Sequence, residues 1–322
     1  MILELNSPHL SGLLPAIAAA TGSVIADGRI NIAEKFGKGY IKEIVVNPQL
    51  WMLIRQYELK EELIVRRGPV TDGNNTIILA FHNLYRDTGE LYNHTRSLPS
   101  VQIATAGMDY EDFFPSNTKV NTLIILIHVN FLRDLLDPAG KSDFFQMILS
   151  GMQSFLFEEI LSPEMQDVAD EIVGEKNSGA LTDFYYRLKA EELIYLFFKT
   201  LTRRDDLSEY LPNKKDVKRI YAIRDKIIAD LSVNPNLSDL AKHSGMSESK
   251  MKRLFKHIFG NTIYNYYQTI RMKQAAFLIR EQRLSVAETG YQLGFTNLSH
   301  FARIFESFHG LKPKKYAKAS PL

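Results

Sequence analysis

Apolar positions in this 322-residue chain change their spacing partway along. Between about residues 22 and 128 they come in short, partly alternating runs: Gly39–Val46, Trp51–Tyr57, Glu62–Arg66, Asn75–Phe81, Val101–Ala106 and Val120–Val129. Turn-forming clusters separate several of these runs: Asn47-Pro48, Gly68-Pro69 and Asp72-Gly73-Asn74. Such runs predict a small β-barrel or sandwich. After Asn130 the spacing becomes helical over Phe131–Leu136, Asp143–Leu161 and Leu181–Leu201. In the last of these, Phe184, Leu188, Leu193, Leu196 and Phe197 read as one apolar stripe, which either supplies a contact with a second copy of the chain or packs wholly inside its own domain. Residues 203–215 are polar, contain Pro212 and read as a linker. The expected fold class is α+β: an N-terminal domain over residues 1–202, sheet before helices, then an all-helical domain over 216–322.

Within that second domain, Leu237–Gly260 and Ser285–Gly310 read as one device used twice. Each carries a short amphipathic helix, a glycine at a tight turn (Gly245, Gly294), and a second helix with a basic side. That is the punctuation of a helix-turn-helix, whose second helix normally enters the DNA major groove. The expected helices are Val217–Leu231, Ser238–His243, Ser247–Phe259, Thr262–Arg280, Val286–Leu293 and Leu298–Phe308, with Lys312-Pro313 ending the pattern. Gly245 precedes Phe255 by ten positions and Gly294 precedes Phe305 by eleven, so the second turn should be one residue longer. Leu237, Leu240, Met251, Leu254, Phe255 and Ile258 form the expected core of the first unit; Phe295, Phe301, Ile304 and Phe305 form that of the second. The periodicity leaves Ser247, Glu248, Ser249, Lys250, Lys252, Arg253 and Lys256 at or near solvent in one copy, and makes Thr296, Asn297, Ser299, His300 and Arg303 the polar candidates in the other. Arg and Lys can pair with guanine O6 and N7, and Ser suits either base type. Lys250, Lys256, Lys312, Lys314 and Lys315 suit phosphate oxygens better than base edges.

Charge sharpens this picture. The net charge of +2 conceals a division. Residues 213–322 hold 20 Lys and Arg against 8 Asp and Glu, a balance of +12, which leaves −10 for residues 1–212. A basic domain joined to an acidic one is the footprint of a nucleic-acid binder with a separate partner. Cysteine is absent, which excludes disulfides, thiolate metal sites and cysteine nucleophiles. No Gly-rich phosphate loop, nucleophile elbow or HExxH motif occurs, so no enzyme activity is expected. His82, Glu90 and His94 have a spacing seen in metal-binding barrels but lack a third imidazole, and no metal or cofactor is expected. The apolar stretch Leu13–Ala20 lacks a basic leader, and apolar runs such as Leu123–Ile127 are too short to span a bilayer. A cytoplasmic protein without a membrane partner is the expectation.

The motifs Leu240-Ala241, Ser244-Gly245, Met251–Lys256, Phe259-Gly260, Arg271-Met272, Ala275-Ala276, Leu293-Gly294-Phe295, Ser299-His300-Phe301, Arg303, Phe305, Gly310, Pro313 and Tyr316 carry a resemblance. Over residues 217–317 the chain resembles the DNA-binding domain of the AraC/XylS family of bacterial transcription regulators. The resemblance implies base-reading roles for Ser249, Lys252 and Arg253 in the first unit, and for Asn297, Ser299 and Arg303 in the second. Departures from its pattern are Gly290 for a usual Ala, Ala302 for Ser, Glu306 for a basic residue and Ala317 for Arg. The N-terminal half resembles the sensor half of a subgroup that includes siderophore-responsive regulators of the pyochelin type, through Gly37–Ile41, Arg55–Leu59, Asn121–Ile127 and Ala190–Leu196. It implies an effector-responsive activator that binds double-stranded DNA, acts as a homodimer and contacts RNA polymerase. Trp51, Arg55, Tyr57 and Tyr85 are the residues suited to line a pocket for an anionic or aromatic small-molecule effector. A DNA-binding domain fused to an enzyme domain, or an effector-independent DNA binder, are the competing readings.

Overall fold

The computed structural model describes residues 2–5, 13–67, 75–84, 99–105, 111–114, 116–137, 139–149, 156–174, 179–204 and 214–318. One compact unit ends at Leu211 and a second continues from Pro212. The first is built on a seven-stranded sheet whose strands are β2 (Arg29–Asn31), β3 (Gly37–Asn47), β4 (Leu50–Leu59), β6 (Thr76–His82), β7 (Ser100–Thr105), β9 (Lys119–His128) and β10 (Leu156–Ile160). Their order is β10-β7-β6-β9-β4-β3-β2, and every neighbouring pair is antiparallel. A smaller sheet joins β1 (Ile2–Leu5), β5 (Leu63–Arg67) and β8 (Glu111–Phe114). The β3–β4 hairpin turns where Asn47-Pro48 signalled it, and the Asn47 side chain accepts the Gln49 N–H at 2.7 Å.

Successive strand residues face opposite sides, so this sheet has two distinct cores. Leu50, Met52 and Ile54 of β4, with Leu123, Ile125 and Ile127 of β9, face the larger one. Four helices supply its other wall: α2 (Val129–Leu136), α3 (Asp143–Leu149), α4 (Pro163–Gly174) and α5 (Thr182–Leu201). Each fully buried Leu or Ile there contributes roughly 1.5–3 kcal/mol relative to exposure. Leu53, Tyr57, Ile124 and Leu126 face a smaller core closed by Leu14 and Ile17 of α1 (Leu13–Thr21). β9 is buried on both faces, which accounts for its unbroken apolar run Leu123–Ile127.

Three expectations are corrected here. The helix expected over Asp143–Leu161 is not continuous: α3 ends at Leu149, and Leu156–Ile160 forms β10, the edge strand beside β7. A short apolar run such as Leu156-Phe157 cannot be told from helix by periodicity alone. α4 lies in a stretch where no helix was expected. The apolar stripe of α5 also divides. Leu193 and Phe197 are fully buried in the larger core and Leu196 packs against it, whereas Phe184 and Leu188 are exposed beside Leu181 and Tyr195.

The second unit is helical throughout its described residues: α6 (Lys214–Ala229), α7 (Leu237–Ser244), α8 (Glu248–Phe259), α9 (Ile263–Arg280), α10 (Val286–Gln292), α11 (Leu298–His309) and α12 (Pro313–Tyr316). Lys312-Pro313 does not end the pattern. Proline takes the first position of α12, where its missing N–H and fixed φ suit a helix start. No helix among the described residues is long and apolar enough to cross a membrane.

Candidate nucleic-acid interface

The two helix-turn-helix units are capped alike. Ser247 caps α8 by accepting the Lys250 N–H, and Asn297 caps α11 by accepting the His300 N–H at 3.0 Å. Both helices close on a left-handed glycine, Gly260 at φ 66° and Gly310 at φ 70°. Gly245 and Gly294, at φ 62° and 75°, form the turns before them. The N-cap follows Gly245 by two positions and Gly294 by three, the one-residue difference the spacing implied. Phe255 packs at a tilt on Phe259 and edge-on to Tyr266 in the first unit; Phe305 packs on Phe301, His309 and Tyr316 in the second. These rings hold each recognition helix by its inner face and leave the other face exposed.

On that outer face of α8, Ser249, Lys252 and Arg253 are all exposed. Lys252 pairs with Glu248 one turn back at 3.0 Å. On α11, Ser299 and Arg303 are exposed, and Arg303 Nη2 lies 3.0 Å from His300 Nδ1. Asn297 is exposed but is also the N-cap, so its Oδ1 is engaged and its amide NH2 is the group left to meet a base. Lys256, Lys312, Lys314 and Lys315 are exposed. Lys250 is placed differently from the other phosphate candidates. Its ammonium lies 2.7 Å from the carboxylate of Asp216, a buried residue in the first turn of α6 that also faces Arg219 at 3.8 Å. Helical spacing shows Lys250 turned from the core but cannot show a partner thirty-four positions earlier.

Gly290 has a packing reason. An added Cβ would stand 2.6 Å from Leu298 Cδ2 and 3.3 Å from Phe301, so its absence lets α10 and α11 approach closely. Lys273 of α9 is pulled down to about 8 by burial, and burial likewise lowers His309, whose ring nitrogen lies 3.0 Å from the Met272 carbonyl.

In the first unit of the chain, Trp51, Arg55 and Tyr57 share one face of β4, on the side of the smaller core. Arg55 and Tyr57 are buried and Trp51 is half-buried. Tyr85, Glu90 and His94 lie outside the described residues. Strand register adds what the sequence could not show. Ser100, His82, Thr122 and Arg55 are consecutive cross-strand neighbours on β7, β6, β9 and β4, and form one polar row on that face. Ser100, Thr122 and Arg55 are all buried. His82 stands in this row, and among the described residues no group of three or more His, Asp or Glu side chains is arranged to hold a metal.

Residues 240–319 match the family described as a helix-turn-helix domain. The C-terminal domain is of the AraC/XylS type. The chain is similar to regulatory protein PchR of Pseudomonas aeruginosa, 29% identical over 123 residues, which is 38% of this chain and 42% of that protein. It is similar to the arabinose operon regulatory protein of Escherichia coli, 25% identical over 161 residues, 49% of this chain and 53% of that protein. The chain thus spans about half or less of the length of these curated relatives. Among solved structures, ToxT of Vibrio cholerae aligns over 84% of this chain and 98% of its own at 14% identity, with a TM-score of 0.30.

Proposed function

We propose that this chain is a sequence-specific regulator of transcription that binds double-stranded DNA, reading two successive major-groove segments with α8 and α11. The carrying observation is the duplication itself: two helices capped alike, each anchored by phenylalanines and each exposing an Arg-bearing face, within a unit of charge +12. Arg253, Ser249 and Lys252 read bases in one segment; Arg303, Ser299 and the Asn297 amide read them in the other. Lys256, Lys312, Lys314 and Lys315 grip phosphates, and Lys250 does so where its pairing with Asp216 allows. α9 joins the two units, and the segments it serves lie about one helical turn of DNA, ~34 Å, apart.

The same reading assigns the first unit a sensing and dimerising role, with residues 203–215 as the linker. A small-molecule effector meets the polar row of Ser100, His82, Thr122 and Arg55 on the smaller-core face, beside Tyr57 and Trp51. A cationic side chain flanked by hydroxyls on an otherwise apolar sheet face suits a ligand with an anionic head and an apolar or aromatic body. The bound chain activates transcription through contact with RNA polymerase in the cytoplasm. The test is selection from random-sequence duplexes by the full-length chain, followed by binding measurements on the enriched sequence and a scrambled control. Enrichment of a two-part motif is expected. Equal affinity for the enriched and scrambled duplexes would remove the reading.

A further inference from the structure

Arg271 lies in the middle of α9, the helix between the two recognition helices, yet only 4% of it is exposed. It carries no base-facing or phosphate-facing role in the function above. Its guanidinium donates from both Nε, at 2.9 Å, and Nη2 to one acceptor, the carbonyl of Leu293. Leu293 is the C-cap of α10, so this oxygen belongs to the end of a helix that leaves carbonyls without intrahelical partners. The guanidinium plane also lies 3.7 Å from the Phe295 ring centre and 5.2 Å from that of Tyr267. One side chain therefore holds both sides of the Leu293-Gly294-Phe295 turn, the turn that aims α11.

The same turn is fastened to the other unit. Gly294 abuts the backbone of Ser232 so closely that an added Cβ would collide with the Ser232 carbonyl oxygen. The Tyr267 hydroxyl, one turn from Arg271 on α9, donates to the Leu231 carbonyl at 2.9 Å. Leu231 itself packs against the hydrophobic core of the second unit. Leu231 and Ser232 belong to the connection between α6 and α7, and α7 is the support helix of the first unit. Arg271 and Tyr267 thus form one joint in which the bridging helix, the first unit's entry strand of chain and the second unit's turn all meet.

We propose that Arg271, with Tyr267 as its abutment, is a positioning residue that fixes the register between α8 and α11 and so sets which spacing of two DNA segments the chain accepts. This rests on the DNA-binding reading above. A bidentate, stacked guanidinium restrains direction as well as distance, which an ammonium in its place would not. One base pair of extra spacing moves the second segment by about 3.4 Å and turns it by about 35° about the DNA axis. A rigid joint must reject that displacement, and a loosened one can follow it.

The experiment uses the full-length chain and the two-part duplex it selects, with one base pair added or removed between the two segments. The variants are Arg271→Lys, which keeps the charge and loses the fork, Arg271→Met, and Tyr267→Phe, which removes only the bond to Leu231. The expected result is a wild type that discriminates steeply against altered spacing, and variants whose discrimination falls by about tenfold while base preference within each segment is unchanged. Tyr267→Phe keeps the ring and its packing, so it tests the joint even where an Arg271 variant does not fold. A spacing preference equal to that of wild type in Arg271→Lys and Tyr267→Phe overturns the proposal. So does a uniform loss across all spacings, which would make Arg271 a stabilising residue only. If the wild type itself selects no duplex, it is the DNA-binding reading that has failed, and that arm separates the two failures.

Discussion

Asn297 caps a helix and is proposed to read a base, two roles that substitutions can separate. Its Oδ1 closes the N-terminus of α11, while its amide donor remains exposed. Asn297→Asp keeps the cap acceptor and adds a negative charge where the helix dipole favours one. Unfolding by denaturant should therefore place it within about 0.5 kcal/mol of wild type, whereas Asn297→Ala should lose about 1 kcal/mol. Both lose the donor, so both should lose base preference in the second segment alone. An Asp variant that selects the same sequence as wild type would confine Asn297 to capping. Arg253 and Arg303 make a cleaner pair, since both are exposed and neither caps a helix. Replacing either with Ala should cost about 1–3 kcal/mol of discrimination at positions within its own segment. Lys314→Ala should weaken all sequences alike. Selection experiments on the three variants would expose the reverse pattern, which this division of labour cannot accommodate.

Among the elements, the turns and α5 make the firmest demands. Gly294 and Gly310 have nearly the same φ, 75° and 70°, yet an added methyl meets the Ser232 backbone at the first and nothing within 4 Å at the second. Gly310→Ala should cost about 1 kcal/mol, the ordinary penalty for a left-handed alanine. Gly294→Ala adds a backbone collision and should cost several-fold more, read as a much lower denaturant midpoint. On α5, Phe184 and Leu188 are 58% and 49% exposed, with Leu181 and Tyr195 at i−3 and i+7 along the same side. A homodimer through this face predicts that Phe184→Lys with Leu188→Lys sediments as a monomer at concentrations where wild type does not. A wild-type chain that is already monomeric would remove the contact. The helical repeat was legible because its signals are local: glycines at the turns, and Phe255 and Phe305 at helical spacing. β10 and the split stripe of α5 were not, because Leu156-Phe157 and Leu193 acquire their meaning from strands far away in sequence. The Ser100–His82–Thr122–Arg55 row is the same case, four residues united only by strand register.

At the scale of the whole molecule, the separation of −10 from +12 has a measurable consequence. Each phosphate neutralised by Lys or Arg releases condensed counterions, so the logarithm of affinity falls with the logarithm of salt at a slope of about −0.9 per contact. Lys256, Lys312, Lys314 and Lys315 are exposed and would each contribute, giving a slope of about −3.6 per chain. Raising salt from 50 to 200 mM should then cut affinity by about 150-fold. Lys250 decides whether the count is four or five. Its ammonium is held 2.7 Å from buried Asp216, which Arg219 also approaches at 3.8 Å. Breaking an ion pair to a buried carboxylate is costly, so the pairing should persist on DNA. Lys314→Ala is accordingly expected to reduce the slope by about 0.9, while Lys250→Ala leaves it unchanged and instead lowers the unfolding midpoint. Salt titrations of the wild type and both variants on one duplex measure all of this together. A slope near zero would dismiss the electrostatic account of binding, and a slope reduced equally by both substitutions would return Lys250 to the phosphate contacts.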